Sequence, residues 1–519
     1  MTTPRTSLVG SEPVASGAAT TPMSAEPRVR RAAVAVRVHD RTHLEMGLDY
    51  ELGEARAGDE PVRYVWEAYF FAPESLRLDS RTYDKSDLYA DLQSYVRFEV
   101  PDSAWEDLDG EPLDAVEAAL ARGEDAEAVR ELRLFACRVR AAGVELRDAV
   151  REGLSAGGVE RDAAISLSAR LVEGAQRMTR RLRRLVDGAT TRPDPLRTAA
   201  QWVDEDVSRL VETLAAELAL DARARGAPLE VTERLEALAV GEARYRQQRG
   251  MPAGGRAGMG AREVEELEFR RHVLKRFTSS VLWLSPEVRP AATWVLHLFH
   301  ALAAAIAMAF ALAAALVSGT DPSQAGSFLG WALAVVVAYA MKDRIKALLQ
   351  AKLSGVVARH FPDRRWTIRD RERGLELGTM DEQAGFVAFS ALPPDVLATR
   401  RLTRAHPLEE QARPETVLYH RKQVELHPAR VRAADARFAG LTEILRLDLR
   451  RWIVHTDDPK HEIAFADPDL GEVGTAIAPR VYNIALVYRL YREGEPAAAW
   501  RRARVVVSRK GIRRLEVIV

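Results

Sequence analysis

Five side chains of metal-ligating type, His455, Asp457, Asp458, His461 and Glu462, fall within the short stretch HTDDPKHE. Imidazole and carboxylate groups of this kind bind divalent cations, which makes this the most metal-like cluster in the chain. Its spacing matches neither HExxH nor an EF-hand, and Asp-Asp-Pro between two strand-like runs is ordinary turn chemistry. A turn is therefore preferred over a ligand set. DPDLGE, residues 467–472, resembles a calcium loop only loosely, because Gly471 comes one place too early, and reads as a second turn.

The remaining chemistry-bearing stretches are weaker. GMPAGGRAGMGA, residues 250–261, is glycine-rich but lacks GxxxxGK[ST], GxGxxG and a preceding strand, so it reads as a linker. The run RMTRRLRRL suits phosphate contact, although a solvated helix side is the simpler reading. Arg501, Arg502, Arg504, Arg509, Lys510, Arg513 and Arg514 crowd the C-terminal end, a patch suited to anionic lipid, nucleic acid or an acidic partner surface, with lipid or a neighbouring domain the more economical choice. There is no GxSxG and no kinase-like set. No residue is assigned as catalytic, cofactor-binding or metal-ligating, and no cofactor is expected.

The chain has 519 residues, with 75 basic and 75 acidic side chains, so its net charge argues for neither nucleic acid nor an acidic partner. Only Cys137 is present, which excludes an intrachain disulfide and suits a reducing compartment. A chain of this length must divide its core among several units.

Residues 291–318 contain no Asp, Glu, Lys or Arg, and neither do residues 322–341. Runs of this length read as two membrane spans. Basic residues on the outer flanks (Arg270, Arg271, Lys275, Arg276 and Arg289 before; Lys342, Arg344, Lys346 and Lys352 after) orient both termini to the cytoplasm. The competing reading is a buried core hairpin, left open by alanine's weak hydrophobicity. Small residues recur every fourth position, at Ala303, Ala307, Ala311 and Ala315 and at Gly326, Gly330, Ala334 and Ala338. Such ridges predict close helix packing and a homo-oligomer contact. His297 and His300, three apart, are expected near headgroup depth beside Trp294.

Around these runs the pattern predicts α+β organisation. Residues 1–30 read as a disordered tail and 31–110 as a β-rich region. Val129, Leu132, Ala136, Val139, Gly143, Leu146 and Val150 open a helical bundle over 111–249, followed by the linker at 250–261. Residues 262–290 read as a membrane-proximal amphipathic helix, 291–341 as a transmembrane hairpin, 342–361 as a stalk helix and 362–519 as a β-rich domain. In VYNIALVYRLYR, Tyr482, Ile484, Leu486, Tyr488 and Leu490 alternate onto one apolar face, as a half-buried strand requires.

The stretches YVWEAYFFAPESLRLDSRTYDKSDLYADLQSYVRF, VYNIALVYRL and RKGIRRLEVIV, together with the hairpin, resemble bacterial double-span inner-membrane proteins with large cytosolic N- and C-terminal regions and no assigned activity. The resemblance implies the layout alone and carries no site residues. The expectation is thus a membrane protein with a two-helix transmembrane hairpin, a cytosolic helical bundle and a β-rich domain. It is expected in the bacterial inner membrane as a non-enzymatic scaffold or signalling and interaction module. The lipid bilayer, a second copy and a cytosolic protein are the expected partners, with nucleic acid disfavoured. The alternatives are a subunit of an oligomeric channel or transporter, and a membrane-tethered enzyme using the 455–462 cluster.

Overall fold

Valine is the most frequent apolar residue of the strands, where its branched side chain is favoured, and alanine, leucine, arginine and glutamate dominate the helices. The structure is a computed structural model that describes residues 34–53, 60–252, 255, 258–290, 293–317, 325–401 and 415–518. The expected tail at 1–30 lies outside these residues. In chain order β1 (Val34–Val38), β2 (His43–Glu51), β3 (Val62–Pro73), α1 (Lys85–Asp91) and β4 (Leu92–Phe98) come first. Six helices follow: α2 (Glu111–Arg122), α3 (Asp125–Ser155), α4 (Val159–Gly188), α5 (Asp194–Ala224), α6 (Leu229–Gln248) and α7 (Ala261–Ser279). Then come β5 (Ser285–Pro290), α8 (Thr293–Val317), α9 (Ala325–His360), β6 (Arg364–Asp370), β7 (Leu375–Val387), α10 (Pro394–Arg401), β8 (Glu415–Leu426) and β9 (Gly440–Asp448). The chain ends in β10 (Lys460–Asp467), β11 (Glu472–Pro479), β12 (Tyr482–Arg492), β13 (Arg501–Ser508) and β14 (Gly511–Ile518).

The strands form an eight-stranded antiparallel sheet, ordered β14-β13-β12-β3-β8-β7-β6-β5, and a four-stranded sheet ordered β1-β2-β9-β4. The two β-rich regions of the sequence therefore share both sheets: β3 lies between β12 and β8, and β9 between β2 and β4. One core spans the two layers. Tyr64, Trp66 and Phe70 of β3 and Ile484, Leu486 and Tyr488 of β12 meet Leu44, Met46 and Leu48 of β2 in it. Strand period two explains which residues these are, since alternate positions of β3 face the opposite way. Tyr69, Phe71 and Val487 belong to a second, smaller cluster with Leu392 and with Val396 of α10. The middle of β12 is thus buried on both faces, not on one. Ser285–Pro290, within the stretch expected to be helical to residue 290, is an edge strand paired with β6.

The seam read from Leu132 to Val150 lies on α3 and packs against α4 and α5. Trp105 is wedged where α3 and α4 approach. A Cβ on Gly174 would stand 2.6 Å from its Nε1 and one on Gly143 3.0 Å from its Cζ3, so both positions need glycine. The Trp105 indole donates to the Leu171 carbonyl at 3.1 Å. Helix α3 also joins the bundle to the sheets: Leu132 and Phe135 enter the helical core, whereas Leu134 and Cys137 enter the interlayer core. Arg130 pairs with Asp435 at 2.7 Å, and Arg437 with Glu131 at 2.5 Å, across the same junction.

Among the described residues, no helix is long and apolar enough to cross a membrane. This overturns the two-helix transmembrane hairpin and the inner-membrane localisation. From Ala325 onward the second run belongs to the continuous helix α9, which proceeds through Lys342, Asp343, Arg344 and Lys346, so the expected transmembrane and stalk segments are one element. Helices α8 and α9 pack on each other, with Ala303 and Ala307 fully buried. Leu298, Leu302, Met308 and Leu312 of α8 and Leu333 and Val336 of α9 are exposed. Residues 318–324 and the side chains at Ala315, Gly326, Gly330, Ala334 and Ala338 lie outside the described residues.

Candidate functional sites: two polar networks and a β-arm

On β8, Leu418, His420, Lys422, Val424 and Leu426 occupy alternate positions, and all five are buried. The two polar members meet carboxylates from both layers. Lys422 Nζ donates to Glu443 Oε1 of β9 at 2.5 Å and lies 3.5 Å from Glu382 Oε1 of β7. Glu443 also accepts from Tyr50 at 2.7 Å and Ser94 at 2.5 Å; Glu382 accepts from Trp366 at 3.0 Å. Trp66 Nε1 lies 3.2 Å from His420 Nδ1, and His420 Nε2 lies 2.9 Å from Glu382 Oε1. An indole N–H only donates, so Nδ1 must accept and Nε2 must carry the proton. His420 is therefore the neutral Nε2–H tautomer.

Burial alone would raise the Glu382 carboxyl, but the Lys422 charge and the hydrogen bonds from His420 and Trp366 outweigh it and hold that group below its ordinary range. Burial likewise works against the Lys422 ammonium, and the two carboxylates reverse it, raising Lys422 above its usual value. Burial and the adjacent Glu443 push the Tyr50 phenol well up, so it remains a donor. Every carboxylate oxygen in the network has a partner, as sealed charges require. Lys422 and Glu443 are each 0 % exposed.

The second network surrounds one turn of α5. Asp204, Glu205, Asp206, Ser208 and Arg209 are all buried there, because α5 is enclosed by α3, α4, α6 and α7. Each neighbour supplies a partner: Arg140 of α3 to Asp206 at 2.7 Å, Tyr245 of α6 to Asp204 at 2.6 Å, and Arg270 of α7 to Glu205 at 2.6 Å. Arg183 of α4 donates to Glu242 at 2.5 Å, which also accepts from Ser208 at 2.7 Å. Beside this turn lies a cleft of 300 Å³ bordered by Trp202, Asp204, Tyr245, Arg249 and Arg270. Burial raises the Asp204 carboxyl, with the Tyr245 hydroxyl and the Arg183 charge offsetting only part of the effect. The cleft's arginines are already engaged: Arg249 with Asp187 at 2.7 Å, and Arg270 with Glu205. Arg183 stacks 3.4 Å from the Tyr245 ring centroid.

The sequence candidates are distributed differently from either network. Asp457 pairs with the Tyr482 hydroxyl at 3.0 Å and Arg480 at 3.4 Å, and Asp458 with Arg509 at 3.2 Å. His461 and Glu462 are carried away on the exposed strand β10. Among the described residues, no group of three or more His, Cys, Asp or Glu is placed to hold a metal ion. DPDLGE closes the β10–β11 hairpin: Asp467 Oδ1 accepts from the amides of Asp469 and Leu470, and Gly471 takes φ 67°. Strand β11 carried too little period-two contrast to stand out in the sequence. The arginines of RMTRRLRRL serve carboxylates of the same chain, Arg177 to Asp109 and Arg181 to Asp114. In the C-terminal patch Arg504 and Arg514 share Glu516. Arg270, one of the basic residues flanking the first charge-free run, binds Glu205, and His297 is exposed on α8.

Strands β10 and β11 join neither large sheet. Their side chains are open: Phe465 is 46 % exposed, Ile477 66 % and Val473 81 %. No family model, curated protein or solved structure matches this chain.

Proposed function

We propose that the chain is a non-enzymatic interaction module, a scaffold whose rigid body presents apolar hairpins to other protein chains. The observation that carries this reading is the separation of charge from open apolar surface. The ionisable groups of both polar networks have partners inside the protein, while Ile463, Phe465, Val473 and Ile477 stand exposed on a hairpin outside both large sheets. Contiguous exposed apolar side chains of this kind mark interaction sites. The ion pairs joining α3 to the segment at Asp435 and Arg437 support a body that positions the hairpins. The channel and membrane-tethered readings needed spans that the described helices do not supply.

The test places a photo-crosslinking residue at Val473, at Leu312, or at the 86 % exposed Val159 as a control, in the full chain inside the producing cell. Discrete protein adducts at the first two positions and none at Val159 support the module. Adducts no stronger than at Val159 would remove it.

A further inference from the structure

We propose that β10 is a homodimerisation edge, along which two copies of this chain pair antiparallel about Ala464. The inference rests on the interaction-module reading and names its partner. A two-stranded hairpin alone is marginal in water, and this one is apolar on both sides. Ile463 and Phe465 occupy one face, with Val473 and Ile477 on the other by the register Ala466↔Val473 and Glu462↔Ile477. Of its two open edges, β11 ends in Pro479, which has no N–H for a ladder, whereas β10 contains neither proline nor glycine.

The residues of β10 are complementary to themselves. One face reads His461, Ile463, Phe465, Asp467 in order. Identical antiparallel strands are related by a two-fold axis perpendicular to the sheet, so opposed residues share a face. With Ala464 opposite Ala464 of the second copy, His461 falls opposite Asp467 of that copy and Ile463 opposite its Phe465. Symmetry makes each pair twice. A histidine–carboxylate pair, which can hydrogen-bond, and an aromatic–β-branched pair are favourable cross-strand combinations, and no like charges meet in this register. Moving the centre to Ile463 would set His461 against Phe465 and Asp467 against Pro459, losing both matches. At the arm's base, Tyr482, Arg480 and Arg509 hold Asp457 and Asp458 without covering β10.

Light scattering of the full chain across a dilution series tests the proposal. A dimer is expected, with His461→Glu weakening it about tenfold through two symmetry-related repulsions and His461→Lys preserving it. Under mild oxidation Ala464→Cys should give a covalent dimer, because directly opposed Cα atoms lie within disulfide reach. Val473→Cys on β11 should not. The native Cys137 is buried and does not compete. A monomer at every concentration, a dimer indifferent to His461→Glu, or equal cross-linking through Val473→Cys would overturn the assignment. A monomer whose Val473 photoadduct contains a different protein would remove the dimer and leave the interaction module standing.

Discussion

Lys422 of β8 and Glu443 of β9 form a 2.5 Å ion pair with both side chains sealed from water, joining the eight-stranded sheet to the four-stranded one. A buried pair tolerates the loss of one partner far worse than the loss of both. Lys422→Met leaves Glu443 and Glu382 facing each other without a cation and should cost about 3–5 kcal/mol. Adding Glu443→Gln should recover part of that loss. Denaturant unfolding of the two single variants and the double variant measures the coupling.

Acid should weaken the protein through the same network. The folded-state Glu382 carboxyl lies below its unfolded value, so its stabilisation is complete above the ordinary carboxylate range and is lost as pH falls toward the folded value. Asp435, lowered by Arg437 and Arg130 against the effect of burial, acts in the same direction. At the alkaline end the sign reverses. The raised Lys422 contributes fully below its ordinary value near 10.5 and loses its contribution as pH rises through the folded value. Glu382→Gln should flatten the acid limb of a stability–pH profile and leave Asp435's share intact.

Cys137 of α3 packs against α7, with its Sγ 3.4 Å from the carbonyl of Thr278. Burial pushes the thiol up to about 12, so almost no thiolate exists at neutral pH. A disulfide-exchange reagent at pH 8 should leave the folded chain unmodified and titrate one thiol after denaturation. Rapid reaction in the folded state would show that α3 opens locally.

Gly174→Ala inserts a methyl group against the Trp105 indole and should destabilise the bundle by about 1–3 kcal/mol through overpacking. Trp105→Phe alone loses the bond to Leu171. Combined with Gly174→Ala it should cost less than the sum of the two, because the smaller ring leaves room for the methyl. Thermal unfolding of the three variants reads this non-additivity.

The helical seam from Leu132 to Val150 and the extended backbone of β12 were legible in the sequence, because each depends on near neighbours and a fixed backbone period, whereas the burial of β12 on both faces was not. Periodicity is silent on the rest of α5: Val203 and Val207 lie on an apolar stripe, and only the four enclosing helices bury the intervening Asp204, Glu205 and Asp206 as well. On β8 a signal was present: His420 and Lys422 lie between Leu418 and Val424 on one face, and polar residues set in an apolar row imply buried partners.

By itself the sequence determined the bundle helices and many of the strands, though not β5 or β11, together with the absence of any intrachain disulfide and the turn chemistry at residues 467–472, since each follows from composition or short-range sterics. Tertiary structure decided which charges are sealed, because Tyr50, Glu382, Lys422 and Glu443 converge from strands far apart in the chain. It also decided that the alanine-rich run belongs to a packed helix pair. A charge-free run records the absence of charge, whereas its surroundings depend on how much apolar surface its side chains carry and what packs against them.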